Sequence, residues 1–418
     1  MIAQSIDGFE MKGETLRVHA GILPESKHAA CDSADYAPAA MNPNEASQPN
    51  HRRAAIDWMR GFVMILMMID HASMAFDGGH FSADSAMLYS PGTVLSAPVF
   101  LTRWITHLCA PTFVFLAGTA LAISVNSRKK KGMSAKEIDR GILTRGLFIA
   151  ILDPTIVSLF SWRMTFQVLY AIGVSMMCMA FLRRLSTKIL LTLGLGWLIF
   201  GEFLVKCLWN PAAGNPSIPT ALSMAFYYEP FFRISYPLLP WLALMCLGWV
   251  FGRYLHTVKQ PESKLPLPIP LLTIAGMISL AVFGAVRWFN GYGNMFFLRE
   301  DNSWMQFLLV SKYPPALSFM ALELGLFCLI LAGMIKLEKS IGVRPNGVLL
   351  VFGQTAMFFY LVHRVVLEGL AQWCGLRGSG GIVATYAVSA VFLIALYPLC
   401  RWYRSYKQLH PGGWTSFI

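Results

Sequence analysis

Arg53-Ala-Ala-Ile-Asp57-Trp-Met-Arg60-Gly61-Phe-Val-Met-Ile-Leu-Met-Met-Ile-Asp70-His71 decides how this chain folds. From Gly61 to Ile69 no polar side chain interrupts it. The surrounding run, 54–74, has the length of about 20 residues that a helix needs to cross a bilayer. An amphipathic helix of a soluble protein would return a polar residue every three or four positions. Here ionisable groups gather at the two ends instead, Asp57 and Arg60 at one and Asp70 and His71 at the other.

Nine further apolar segments follow, near 99–125, 141–160, 163–182, 187–208, 236–256, 268–289, 314–335, 346–371 and 382–402. Over all 418 residues, 56% are hydrophobic and only 13% charged, with a mean hydropathy of +0.53. A soluble domain is about a quarter charged, so this chain lacks the charge to cover a globular surface in water. Disordered, coiled-coil and collagen-like classes fail on the same composition. The expected fold is all-α: a polytopic integral membrane protein with about ten transmembrane helices. The net charge of +12 does not point to nucleic acid, because the basic residues lie in short bursts between apolar runs. None of the eight cysteines forms C-x-x-C, and most fall in apolar runs, where they read as small hydrophobes.

Residues 1–50 differ in kind, being rich in Ala, Asp, Glu, Asn, Pro and Ser. They are expected to be a mobile cytoplasmic tail, or an extension upstream of a start at Met41. Residues 51–405 form the transmembrane domain and 406–418 a cytoplasmic C-terminal tail. Orientation follows from Lys and Arg, which concentrate on cytoplasmic flanks. The flanks that include Arg128–Lys131, Arg183-Arg184 and Arg401 hold 20 such residues, and the alternate flanks hold 7. Both termini are therefore expected inside.

Ionisable groups within a bilayer are costly and need a partner or a task. Besides those of the first span, the apolar segments carry Arg103, His107, Arg145, Asp153, Glu202, Glu323, His363, Arg364 and Glu368. At 1.5 Å per residue, His71 stands about 16 Å further along the first span than Arg60. The topology groups His71, His107 and His363 with Arg103, Lys312, Tyr313 and Trp241 in the outer half, and Asp57, Arg60 and Arg145 in the inner half. Structural readings compete with functional ones. Asp57 and Arg60, three apart, can neutralise each other, as can Arg364 and Glu368 at four. Met64, Met67 and Met68 are filler, and Gly118 and Gly325 permit close helix contact.

The quoted stretch, with an Arg-Gly pair followed by a histidine eleven residues after the arginine, resembles the opening of membrane acyltransferases. Four further blocks narrow the resemblance: Phe100 to Gly118 with Arg103, His107 and Pro111; Tyr236-Pro-Leu-Leu-Pro-Trp241; Ser311-Lys-Tyr-Pro-Pro315; and Phe352-Gly353 leading to Phe358-Phe-Tyr-Leu-Val-His363. They are similar to the bacterial relatives of heparan-alpha-glucosaminide N-acetyltransferase, in the same order, across nearly all of the membrane region.

The resemblance implies acetyl transfer from cytosolic acetyl-CoA to a sugar hydroxyl or amine on the other side of the membrane. It implies a multi-pass protein of a bacterial cytoplasmic (inner) membrane. The expected partners are acetyl-CoA, a glycan or other small acceptor and the lipid bilayer, with a homodimer among the expected states and no metal. The catalytic candidates are His71 as general base, with Asp70, His107 and His363 around it. In the lysosomal family member the position matching His71 is an amide residue and the reactive histidine lies in the following outer loop, which here contains His80; His80 is therefore the rival base. Asp70, about 100° from His71 on a helix, is a poor orienter for it and suits Arg103 better. Arg60, with Asp57, and Arg145 are the candidates for the anionic donor, and Arg103, Trp241, Lys312 and Tyr313 for the acceptor. Two rival classes remain open. A proton-coupled transporter would use Asp153, Glu202 and Glu323, and a haem protein would use two of the three histidines as axial ligands.

Overall fold

The computed structural model describes residues 54–159, 163–258, 268–410, 412 and 415. The expectations placed on the 1–50 tail, and on most of the chain beyond 410, lie outside these residues. The helices are α1 (Ala54–Phe76), α2 (Ala97–Thr106), α3 (Cys109–Lys130), α4 (Ala135–Leu152), α5 (Val168–Leu182), α6 (Thr187–Leu208), α7 (Ile218–Ser223), α8 (Leu238–Val258), α9 (Pro268–Phe289), α10 (Trp304–Leu308), α11 (Leu317–Ile341), α12 (Val348–Gln354), α13 (Ala356–Trp373) and α14 (Ile382–Leu409). Three short strands, β1 (Met164–Phe166), β2 (Tyr227–Tyr228) and β3 (Phe232–Ile234), form a sheet in the order β1-β3-β2. β3 runs parallel to β1 and antiparallel to β2, with Thr165 opposite Arg233.

The fold is an all-α polytopic membrane protein. Each of the ten apolar segments is helical over most of its described length, the 163–182 segment starting on β1 before α5. Among the described residues seven helices or continuous helical runs are long and apolar enough to cross a membrane, and α12 with α13 makes an eighth if counted as one bent span. α4 carries five charged residues and α5 has only 15 residues, so neither meets that measure, and the two pack on each other.

Two segments expected as single helices are broken. The 99–125 segment parts at His107 and Leu108, between α2 and α3. Pro111 explains the place: it has no N–H for the His107 carbonyl, and its ring crowds that carbonyl. The 346–371 segment bends by 88° at Thr355, whose hydroxyl bonds back to the Val351 carbonyl at 2.8 Å. The Glu338 carboxylate on α11 caps the start of α1, accepting from the Ala54 and Ala55 amides at 3.1 and 3.0 Å.

α1 is the axis of the bundle. It packs on α12, α14, α13, α11, α3 and α2. Its closest neighbours approach through glycine. A Cβ on Gly61 would collide with the Leu349 carbonyl of α12, and one on Gly353 with the Asp57 carbonyl of α1. α3 and α8 meet in the same way, Gly118 against the Met245 carbonyl and Gly248 against that of Phe115, and the Thr119 hydroxyl donates to the Gly248 carbonyl at 3.0 Å. Apolar side chains gain little by leaving lipid for protein, so backbone approach through small residues supplies the packing attraction. α6, α9 and α14 form the periphery, with 28%, 17% and 17% of their spans buried, against 67–72% for α1, α2–α3, α8 and α11.

Gly248→Val should lower the thermal stability of the purified protein in detergent by about 1–3 kcal/mol, the usual cost of overpacking. Gly196→Ala, where an added methyl meets nothing within 4 Å, should leave it unchanged or higher. Equal melting temperatures for the wild type and Gly248→Val would disprove the close α3–α8 contact.

Candidate functional site

His71 faces the protein, with 7% of its surface exposed, on the last third of α1. Its Nδ1 lies 2.7 Å from Nε2 of His363 on α13, and the two rings are within 10° of parallel. Nδ1 of His363 in turn lies 2.7 Å from the Phe359 carbonyl oxygen, one turn earlier on the same helix. A carbonyl only accepts, so His363 Nδ1 holds the proton and donates it there. In the neutral ring His363 Nε2 is then an acceptor, and His71 Nδ1 must donate to it. The lone pair of His71 is thereby placed on Nε2, which has no hydrogen-bond partner among the described residues. Tyr360 stands edge-on to both rings, at 6.1 and 5.7 Å between centroids.

A second cluster lies beside the first. Arg103 on α2 donates from Nη1 to Asp70 at 2.6 Å and from Nε to Asp84 at 2.9 Å, and its Nη2 also contacts Asp84. The Thr106 hydroxyl gives Asp70 a second donor at 2.9 Å. His107 Nε2 is 3.3 Å from the same Asp84 oxygen. The Asp84 carbonyl accepts the Lys312 amide at 2.8 Å, and the Tyr313 hydroxyl lies 3.5 Å from Arg103. A buried guanidinium needs carboxylates on its fork, and two supply it. Asp84 has no exposed surface. Burial by itself would raise its carboxyl, but Arg103, followed by His107, holds it well below the usual carboxylate range.

The expected site residues divide among these groups. His71 and His363 meet, whereas His107 goes to Asp84 and leaves its own Nδ1 buried without a partner among the described residues. Asp70 is committed to Arg103. His80 lies in the loop after α1 with Nδ1 2.9 Å from the Ser73 hydroxyl, and burial, followed by Arg103, lowers its affinity for a proton. Lys312 is 4% exposed, its amine 5.5 Å from the Tyr313 ring centroid, with no carboxylate within ion-pair distance among the described residues. Trp241 is fully buried behind Tyr236, their ring centroids 4.7 Å apart. At the other end of α1, Arg60 bonds Asp57 at 3.0 Å and the Leu116 carbonyl at 3.1 Å. Arg145 is half-buried on α4, which packs chiefly on α5. Among the described residues no three His, Cys, Asp or Glu groups converge as a metal site would require.

The sequence reading gave Asp84 no role. The structure makes it the anchor of the second cluster. The signal was Arg103, which offers two donor edges and had only Asp70 assigned to it. Of the acids expected to couple transport, Asp153 accepts the Gln167 and Tyr170 amides at 2.9 and 2.8 Å, and Glu202 bonds the Met295 amide and Lys206. Glu323 has no partner for either oxygen among the described residues. The 2.7 Å contact leaves no room for an iron between His71 and His363.

Residues 52–285 match a family model described as heparan-alpha-glucosaminide N-acetyltransferase, catalytic. That is more than half of the chain and runs from α1 to near the end of α9, so Lys312, Tyr313 and His363 lie beyond it. Comparison with curated proteins gives no match.

Asp84→Asn should destabilise the protein by about 3–5 kcal/mol, because it leaves a buried guanidinium short of one charge. Thermal unfolding in detergent checks this. An unchanged melting temperature would show that Asp84 is not the anchor.

Proposed function

The chain belongs to the heparan-alpha-glucosaminide N-acetyltransferase catalytic family, and from that premise we propose that it moves an acetyl group from acetyl-CoA to a sugar hydroxyl or amine across the membrane, with His71 Nε2 as the base. The observation that carries the assignment is the hydrogen-bond series from the Phe359 carbonyl through His363 to His71. It fixes the tautomer and aims a lone pair at a position where no protein donor competes for it. His363 is the positioning residue, acting through His71.

In the proposed step the acceptor oxygen or nitrogen attacks the thioester carbonyl carbon, and His71 Nε2 takes its proton. The C–S bond then breaks, and the CoA thiolate leaves and recovers the proton from His71. The products are the acetylated sugar and free CoA. A route through an acetyl-histidine remains chemically allowed.

The Lys and Arg bias supports a start of α1 on the cytoplasmic side, and the proposed setting is a bacterial inner membrane with both termini in the cytoplasm. CoA phosphates would then stay near Arg60 and Arg145, and the pantetheine arm would span the roughly 16 Å rise from Arg60 to His71. The Asp57 carboxylate holds Nη1 of Arg60, and the Leu116 carbonyl of α3 holds Nη2. A proton-coupled transporter is the second reading, and Glu323, with no partner among the described residues, favours it.

With protein reconstituted in vesicles, labelled acetyl-CoA and sugar acceptors, His71→Ala should lower transfer by about 10²–10⁴-fold, the usual contribution of a general base. His363→Ala should cost less. Full activity in His71→Ala together with its loss in His80→Ala would move the base to the loop. Substrate-dependent uptake without acetyl-CoA, and no consumption of acetyl-CoA, would favour the transporter.

A further inference from the structure

Glu323 takes no part in the proposed acetyl transfer, yet it is buried on α11 with no partner for either carboxyl oxygen among the described residues. Two ring contacts show what it faces. The His107 ring meets Phe319 with centroids 5.7 Å apart, and Phe115 on α3 meets Phe327 at 4.8 Å. From the first contact to the second both segments advance by the same number of residues, so α3 and α11 run side by side in parallel. Phe319, Glu323 and Phe327 follow one another at intervals of one helical turn on one face of α11. Glu323 therefore faces the turn between His107 and Phe115, which carries Cys109, Pro111 and Thr112.

Two more buried polar groups of that turn have no partner among the described residues, His107 Nδ1 and the Thr112 hydroxyl. Cys109, by contrast, donates its thiol to the Val63 carbonyl at 3.3 Å. The unpartnered groups are complementary. The Asp84 carboxylate only accepts, so His107 Nε2 carries the ring proton and Nδ1 is an acceptor. A buried carboxyl with neither donor nor cation beside it keeps its proton, because nothing there solvates the charge, and Glu323 is then a donor. The hydroxyl both donates and accepts. A buried water makes about three hydrogen bonds to polar groups that lack other partners, which matches what this turn and Glu323 offer.

The charges that a moved proton creates are also provided for. On His107 it makes an imidazolium, whose Nε2 already lies 3.3 Å from an Asp84 oxygen. On Glu323 it leaves a carboxylate, and Lys312, with no carboxylate within ion-pair distance among the described residues, is the cation that acts on it. Other ionisable groups on the helices around α11 are engaged elsewhere: Asp70 with Arg103, Glu202 with Lys206, and Arg287 with Asn294 and backbone carbonyls.

We propose that Glu323, Thr112 and His107 enclose one buried water and form a proton site at membrane depth. Glu323 holds the proton at rest. The proton passes through the water to His107 Nδ1, the O–H bond of the carboxyl breaking as the N–H bond forms, while Thr112 holds the water in line. It thereby reaches the cluster of Asp84 and Arg103. Acetyl transfer through His71 does not use this site, and the inference does not rest on that reading.

Infrared spectroscopy of the full-length protein in an ester-free detergent tests it. The spectrum at neutral pH minus that at alkaline pH should contain the C=O stretch of a protonated carboxyl, shifted in D2O, which disappears as pH rises and the group ionises. Glu323→Gln should remove a band of this kind. Thr112→Val and His107→Gln should each shift the Glu323 band, because each takes a hydrogen bond from the water that holds the acid. Absence of the band in the wild type would overturn the proposal, as would a Glu323→Gln protein that loses no band. A band at one frequency in the wild type, Thr112→Val and His107→Gln would show an isolated acid and overturn the relay. If Glu323→Gln does not fold, a spectrum unmoved by Thr112→Val is enough to overturn it.

Discussion

A guanidinium buried at membrane depth must be neutralised where it stands, and most of the outer architecture follows from how Arg103 meets that demand. Asp70 comes from α1, Asp84 from the following loop and Arg103 from α2. The Asp84 backbone then receives Lys312 and Tyr313 from the segment before α11. One cation thereby ties four parts of the chain together. Removing a partner would strand charge in a medium of low dielectric, so the parts hold or fail together. The loop that carries Asp84 also carries His80, so the same bonds decide where both rival histidines stand.

The second constraint is geometric. α1 can bring His71 to His363 only because its backbone lies against α12 at Gly61 and Gly353. The 88° bend at Thr355 then turns α13 so that His363 meets α1 near its end. The pair of histidines is thus a product of helix packing, and its chemistry follows from a single carbonyl. Phe359 can only accept, and that fact passes along two rings to leave a free lone pair on His71. The same bond accounts for the absence of a role for Asp70 as orienter: the ring is already held from its other nitrogen. The two clusters differ in kind, two carboxylates around one guanidinium in one and a hydrogen-bonded imidazole pair in the other.

Much of this was legible in the residues. The apolar runs located every long helix, because lipid demands internally satisfied backbone and apolar side chains over a fixed length. The small residues Gly118 and Gly325 were readable as packing positions, and they are. The 100° between Asp70 and His71 argued against Asp70 as an orienter and left it for Arg103, with which it pairs. The break before Pro111 was also written in the sequence, although the apolar run concealed it. Asp84 was not legible, since nothing local distinguishes an acid that will be fully buried from one that stays wet. Arg233 was equally silent, the rings of Phe226, Tyr228 and Tyr313 around it coming from elsewhere in the chain.

The sequence by itself determined that this is a helical membrane protein, which segments are apolar enough to span, and which ionisable groups are carried into them, because those properties depend on side-chain solvation over consecutive residues. Only the tertiary structure decided that His71 bonds His363 rather than His107, that Asp84 anchors Arg103, and that Arg233 has no carboxylate within ion-pair distance among the described residues. Hydrogen bonds and ion pairs depend on directions and on distances of a few ångströms between residues far apart in the chain, and those are set by how helices bend and how closely their backbones approach.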